Sequence, residues 1–281
     1  MMKYPSLFVM STFCLLLFGQ CKTDSSKLKQ LDEDKFIELA MTDKFPDPEE
    51  LTIRDVNGNI ISTDSLVSMQ STRNYFVDFL VDDNNNIKSG VIRPITDADK
   101  KLIERLNTKM NEGPPLSEVQ VDCSKLDSIL AEVERLDQAV RSGAEVSEGM
   151  YNVDQRNLEI VMSIHANCGM PTSAKQVYSM WLVIQHASAK YRKLLLPDFK
   201  TSAANGLLKK SSIALMEDRV LMDDGQPQIY GSQVTKQGGS DWELHDLIDP
   251  ETVDRRRAEI GLGPLKEYLE RFDVEFNVVQ K

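Results

Sequence analysis

GQPQIYGSQV, Gly225 to Val234, interrupts a run of helical patterns with a segment that reads as a strand. It sets Gln226, Gln228 and Gln233 around Tyr230 and Gly231. As a strand it places Gln228, Tyr230 and Ser232 on one face and Ile229, Gly231 and Gln233 on the other. Gly231 removes a side chain where a neighbour comes close. A glutamine amide both donates and accepts, so one side chain can join two buried groups that lack partners. The segment therefore predicts polar groups inside the elements that flank it.

Those elements are helical by pattern. Ser124 to Arg141 carries Leu126, Ile129, Leu130, Val133, Leu136 and Val140 on one face. Asp154 to Asn167 reads as a second helix, ended by Gly169 and Pro171. Ser173 opens a third, with Gln176 completing a capping box, and it runs to about Leu195 before Pro197. A short helix ends at Asn205-Gly206, and Ser211 or Ser212 caps the next, through Met222. After the strand, Gly238-Gly239 predicts a turn and Trp242 to Ile248 a partner strand. Asp249-Pro250 starts a helix that ends at Gly261, Pro264 opens the last one, and Val274 to Val279 reads as a terminal strand.

The amino-terminal half has another character. In LTIRDVNGNIIS, Asn57-Gly58 divides two short apolar runs, a hairpin signal. Tyr75 to Val81 and Ile87 to Ile95 form a second hairpin around an acidic and amide turn. Thr96 caps a helix with Leu102, Ile103 and Leu106 on one face. NEGPPL, ending at Leu116, reads as a linker. The fold class is α+β: a small α+β unit over residues 31–112, then a mainly helical domain with a short β-hairpin over residues 119–281.

The first residues read MMKYPSLFVMSTFCLLLFGQC. The apolar run from Leu7 to Phe18 is shorter than the roughly 20 residues a spanning helix needs and has the length of a signal core. LLLFGQC resembles a bacterial lipobox, with Gln20 where a small residue is usual. The resemblance implies a signal over residues 1–20, lipid such as palmitate on Cys21, and a polar tether over residues 21–30. Plain secretion and an uncleaved anchor are the alternatives. The expected location is the cell envelope, at the inner or outer membrane, facing the periplasm or the cell surface.

With 44 acidic against 33 basic residues the net charge is −11, and no basic stripe is present, so nucleic acid is not an expected partner. Of four cysteines, Cys14 leaves with the signal and Cys21 carries lipid. Cys123 and Cys168 are read as two small, partly buried thiols, with pairing in an oxidising compartment as the alternative. Three scattered histidines and no CxxC predict no metal site, and no cofactor is expected.

Six words in the second half, LDQAVR, GMPT, WLVIQHA, MEDRVLM, GQPQIYGSQ and DPETVDRRRAEIGLGPLKEYL, resemble an uncharacterised bacterial family. Its pattern is D-Q-x-x-R, a glycine–proline turn, Q-H, D-R, Q-x-Y-G-[TS]-Q and V-D-x-R-R-x-x-x-G-L. The likeness covers about Leu126 to Leu269. It maps onto Asp137, Gln138 and Arg141; Gln185 and His186; Asp218 and Arg219; Gln228, Tyr230, Gly231 and Gln233; and Asp254, Arg256 and Arg257. The resemblance implies relatives and no particular chemistry.

Helical geometry sorts these residues. Asp137 falls in the apolar arc of its helix, with Arg141 one turn on as an i,i+4 partner. Gln185 points toward the apolar side, whereas His186 faces Lys175, Lys190 and Lys193. Asp218 lies on a helix apolar nearly all round and needs a partner, for which Arg141, Arg219, Arg256 and Arg257 are the available cations. The prediction is one polar cluster in the helical half. Asp137, Asp218 and His186 are its catalytic candidates. Arg141, Gln185, Gln228, Tyr230, Gln233, Arg256 and Arg257 are its ligand-binding candidates. Two functions fit: a surface-anchored binding or scaffold module that takes a small polar ligand or an envelope component, or a hydrolase of envelope material with Asp137 and Asp218 as acid and base.

Overall fold

The computed structural model describes residues 28–42, 44–142, 149–236 and 242–281. The signal, Cys21, most of the tether and the Gly238-Gly239 turn lie outside the described residues. The chain divides into two compact units, meeting at residues 107 and 108. Among the described residues no helix is long and apolar enough to cross a membrane.

The amino-terminal unit is a four-stranded sheet with three helices. In chain order it contains β1 (Lys29–Gln30), α1 (Glu33–Thr42), β2 (Thr52–Arg54), α2 (Thr63–Ser71), β3 (Tyr75–Val81), β4 (Ile87–Pro94) and most of α3 (Asp97–Glu112), whose last turn runs past the boundary. The strand order is β1-β3-β4-β2. β3 and β4 form the predicted antiparallel hairpin, with Val77 opposite Ile92. The Asn57-Gly58 turn is present, held by Asp55 accepting from the Asn57 and Asn59 amides at 2.8 Å each. Its return limb is a single bridge, Arg54 to Ile60, because β2 takes its ladder from β4, in parallel. Ile53, Leu66, Val77 and Ile92 form the core on one face. Gly90 is needed there, since a Cβ would lie 2.7 Å from Val77 and 2.9 Å from Ile53. Arg93 bridges Asp78 and Asp99, and Asp99 also accepts from the Thr96 amide at 2.7 Å, closing the cap of α3.

The second unit is a bundle: α4 (Leu126–Ser142), α5 (Met150–Cys168), α6 (Ala174–His186), α7 (Ala189–Ala204) and α8 (Lys210–Asp223). Leu130, Val161, Ile164, Met180, Ile184, Leu195, Phe199 and Met216 fill its centre. Several predicted boundaries move. The third predicted helix breaks at Ala187-Ser188, where both residues are extended. It resumes as α7 with Pro197 inside. Arg192 donates to the Ala187 carbonyl at the break. The predicted capping box does not form: Ser173 makes no side-chain cap bond, and Gln176 instead donates to Asp127 of α4 at 2.8 Å. α8 begins at Lys210 with Lys209 as its cap residue, so Ser212 sits buried in the first turn.

NEGPPL is fastened to the bundle. Gly113, at φ +71°, packs where a Cβ would lie 2.4 Å from Ser188 Oγ. The Pro114 carbonyl accepts from Tyr191 and the Pro115 carbonyl from Gln155, each at 3.2 Å. Cys123 and Cys168 are joined in a disulfide, which overturns the reading of two thiols. The bundle brings the start of α4 against the end of α5, so their Cα atoms stand 5.7 Å apart.

Beyond α8 come β5 (Val234–Lys236), β6 (Trp242–Leu244), α9 (Val253–Glu259) and α10 (Leu265–Leu269). β5 and β6 form the short hairpin. The polar segment ahead of it is not a strand. Only Gln228 makes a bridge, to Leu247, and Gly231 at φ +64° turns the chain before β5 begins. The two-face assignment of its side chains fails for that reason. Residues 274–279 are also irregular rather than a strand. Val274 and Phe276 pack on the cluster of Val253, Leu265 and Leu269. Gln280 and Lys281 bond to the backbone at the start of α9.

The Arg93 pair holds the Asp99 carboxyl down at about 2. A depressed carboxyl stabilises the fold above its unfolded value near 4 and loses that contribution as pH falls toward 2. Asp99→Asn is therefore expected to cost about 2 kcal/mol at pH 7, with the difference from the parent closing between pH 4 and 2 in urea titrations. The disulfide closes 45 residues of chain. Reduction with dithiothreitol should lower the stability of the helical unit by about 4 kcal/mol, read from the denaturation midpoint.

Candidate functional site

The polar cluster centres on Asp218. It lies on α8 between Ala214 and Met222, among the buried Ile213 and Met216, and is 0% exposed. Its partner is not an arginine side chain, as expected, but the backbone of the segment that reads as a strand. The Ile229 amide donates to its carboxylate at 2.7 Å, the Tyr230 amide at 3.1 Å and the Ser232 amide at 2.9 Å. An extended chain could not aim these N–H groups at one point. The turn at Gly231 lets it, and the Leu265 side chain occupies the space a Cβ at Gly231 would need, 2.8 Å away.

The carbonyls of the same loop go to side chains from α9 and α10. Arg256 Nε donates to Ile229 O at 2.9 Å and Arg257 Nη1 to Tyr230 O at 2.7 Å. The Tyr268 hydroxyl donates to Ser232 O at 2.8 Å. One peptide group, between Ile229 and Tyr230, thus lies with its oxygen on Arg256 and its N–H on Asp218. Gln228, wholly buried, closes the ring: Oε1 accepts from the Gln233 amide at 3.0 Å, and Nε2 donates to the carbonyls of Gln233 and His245. Its own backbone pairs with Asp246 O and Ile248 N. This is the amide bridging expected of the glutamines, performed on backbone rather than on charged side chains.

Asp137 and Arg141 form a second node. Arg141 Nη1 lies 2.9 Å from Asp137 Oδ1, and Gln138 donates to the other oxygen at 2.8 Å. Arg141 also holds Asp154 of α5 at 2.9 Å, a partner the sequence reading missed. Arg141 near the end of α4 and Asp154 near the start of α5 have the signs that suit those helix ends. Asp137 is 1% exposed, and burial pushes its carboxyl pKa up, with Arg141 opposing.

No hydrogen bond or ion pair among the described residues joins the Asp137 node to the Asp218 node, and Arg219 bonds on the Asp218 side. Its Nε donates to Gln233 Oε1 at 3.0 Å and its Nη1 to the Gln185 carbonyl at 2.6 Å. Burial, then the neighbouring charge of Arg192, pulls the Arg219 pKa down, and Arg141 adds a smaller contribution. Gln185 is buried, and it is its backbone that meets the cluster. His186 is half-buried at the last position of α6. Tyr230 is half-buried, and its phenol pKa is raised by burial and by Glu217 and Asp218. Arg255 and Glu259 are exposed.

Sequence reasoning also missed Tyr268, Arg192 and Asp223. Arg192 holds Asp223 at 2.6 Å, joining α7 to the end of α8. Tyr268 could have been found, since it lies beside Leu265 and Leu269 on a buried helix face and a buried phenol seeks an acceptor. A shallow cleft of about 60 Å³ lies in the amino-terminal unit, lined by Phe36, Phe76, Asp78, Asp99 and Leu102, and none of the predicted site residues borders it.

Asp218→Asn places an NH₂ against amide donors and should destabilise the helical unit by about 3 kcal/mol or more. Asp137→Asn should cost less at pH 7, because the fold already disfavours that charge and Arg141 keeps Asp154. A raised carboxyl stabilises below its unfolded value near 4 and loses this as pH rises through the folded value. The deficit of Asp137→Asn against the parent should therefore shrink from pH 4 to 7 in denaturant titrations.

Residues 95–280 match a family of unknown function, DUF6624, and the chain belongs to that family. The match starts earlier than the resemblance at Leu126 and takes in α3 and the fastened residues 113–115. No curated protein matches the chain, and no solved structure does.

Proposed function

We propose that the protein is an envelope-anchored lipoprotein whose helical domain is a binding or scaffold module, its polar cluster holding the fold and presenting a small polar recognition surface. The observation that carries this reading is the engagement of Asp218, which is 0% exposed and receives three backbone amides. A carboxylate so committed is a structural anchor. The alternative, an envelope hydrolase, asks Asp137 and Asp218 to exchange protons with a substrate. At 1% and 0% exposure they have no surface on which to do so, which weighs for the binding module. The raised Asp137 carboxyl fits burial beside a single cation and does not need a catalytic role.

The anchoring part rests on LLLFGQC, on the polar residues after Cys21, and on the Cys123–Cys168 disulfide, a bond that persists in oxidising compartments. A lipid chain contributes about 0.8 kcal/mol per buried CH₂, so the body needs no lipid-facing surface of its own. Cells fed labelled palmitate should yield a labelled chain in the membrane fraction, and Cys21→Ser should be unlabelled and released. An unlabelled parent chain removes the anchor. Native mass spectrometry of the same preparations should show a retained small molecule if the module binds one.

A further inference from the structure

The cluster contains five arginines, and two of them pair with carboxylates. Arg141 meets Asp137 and Asp154, and Arg192 meets Asp223. Arg256 spreads over the carbonyls of Ile229, Ile248 and Asp249 and the Thr252 hydroxyl. Arg257 takes the carbonyls of Tyr230 and Gly263 and lies over the Tyr268 ring. Arg219 differs in its surroundings. Like Arg256 and Arg257 it bonds only to neutral acceptors, with no carboxylate within ion-pair distance among the described residues, but it is half-buried and has like charge beside it where Arg257 has Asp254 and Asp218. Its Nη2 bonds to nothing among the described residues. Asp223, whose charge favours the Arg219 cation, is taken by Arg192, and Arg192 and Arg141 add like charge. The carbonyl end of α6 offsets only part of a unit charge. A desolvated guanidinium with two more guanidiniums nearby calls for a counter-charge.

We propose that Arg219 anchors a site for a small oxyanion group, a carboxylate or a phosphate, which docks on its unbonded Nη2 edge beside Gln185 and Gln233. A planar fork suits such a group, since two N–H donors meet two oxygens. Gln233 sets the fork, because its Oε1 fixes Nε while its Nε2 is tied to Ser232 Oγ at 2.9 Å. The inference rests on the binding reading and names the ligand class for it. It is independent of the lipid anchor, so the palmitate experiment and the one below can fail separately.

The test titrates the full chain with inorganic phosphate and, separately, with acetate, against chloride at matched ionic strength. Phosphorus and carbon NMR linewidths of the two anions report binding directly. Saturable broadening by at least one anion is expected, with about tenfold weaker binding in Arg219→Gln. Phosphate alone or acetate alone would name the oxyanion. Arg219→Lys keeps the charge without the fork and should also weaken binding, which serves if the glutamine variant fails to fold. No saturable broadening by either anion, or equal binding in parent and folded variants, overturns the proposal.

Discussion

A buried carboxylate with no cation on it organises the carboxy-terminal third of this chain. Asp218 sits in the wall of a helical bundle, at full burial, where an unsatisfied charge costs several kcal/mol. The fold meets that cost with peptide dipoles. Residues 229–232 turn at Gly231 so that three amides converge on one side chain. The arrangement solves a second problem at once. A loop buried against a bundle has no ladder partner, and its N–H and C=O groups must all go somewhere. Asp218 takes the donors, while Arg256, Arg257 and Tyr268 take the acceptors.

Backbone satisfaction accounts for residue types that look like chemistry. Aspartate, two arginines, two glutamines and a tyrosine are the usual inventory of an active site. Here the aspartate, the arginines and the tyrosine reach from α8, α9 and α10 to backbone groups of residues 229–232, and so pin three helices to one irregular segment. Gln228 is the plainest case: both ends of its amide bond to backbone 5 or 17 residues away. The Asp137 node performs the same service between α4 and α5 with side chains alone. Arg219 joins Gln233 to the carbonyl end of α6 with its donors only partly used.

Local chemistry made much of the fold legible. The β3–β4 hairpin follows from alternation around an acidic and amide turn, and α3 from Thr96 and its apolar spacing. The helices α4 and α5 follow from stripes three and four apart, with Gly169 in the left-handed region closing α5. The misreadings share a cause. Ser173 and Gln176 have the spacing of a capping box, yet Asp127 of another helix offers Gln176 a better partner. At the Ala187-Ser188 break Ser188 stands as the N-cap of α7, while Gly113, far back in the chain, packs against it.

The sequence by itself determined which residues must be buried and that Asp137, Asp218 and the glutamines would need polar partners there, because helical and apolar periodicity are properties of neighbours in the chain. Tertiary structure alone decided who those partners are. The Asp218 carboxylate found amides rather than arginines, and Cys123 found Cys168 across 45 residues. Hydrogen bonds and disulfides form between groups that packing brings within a few ångströms, and the residue pattern of one segment carries no record of which distant segment will lie against it.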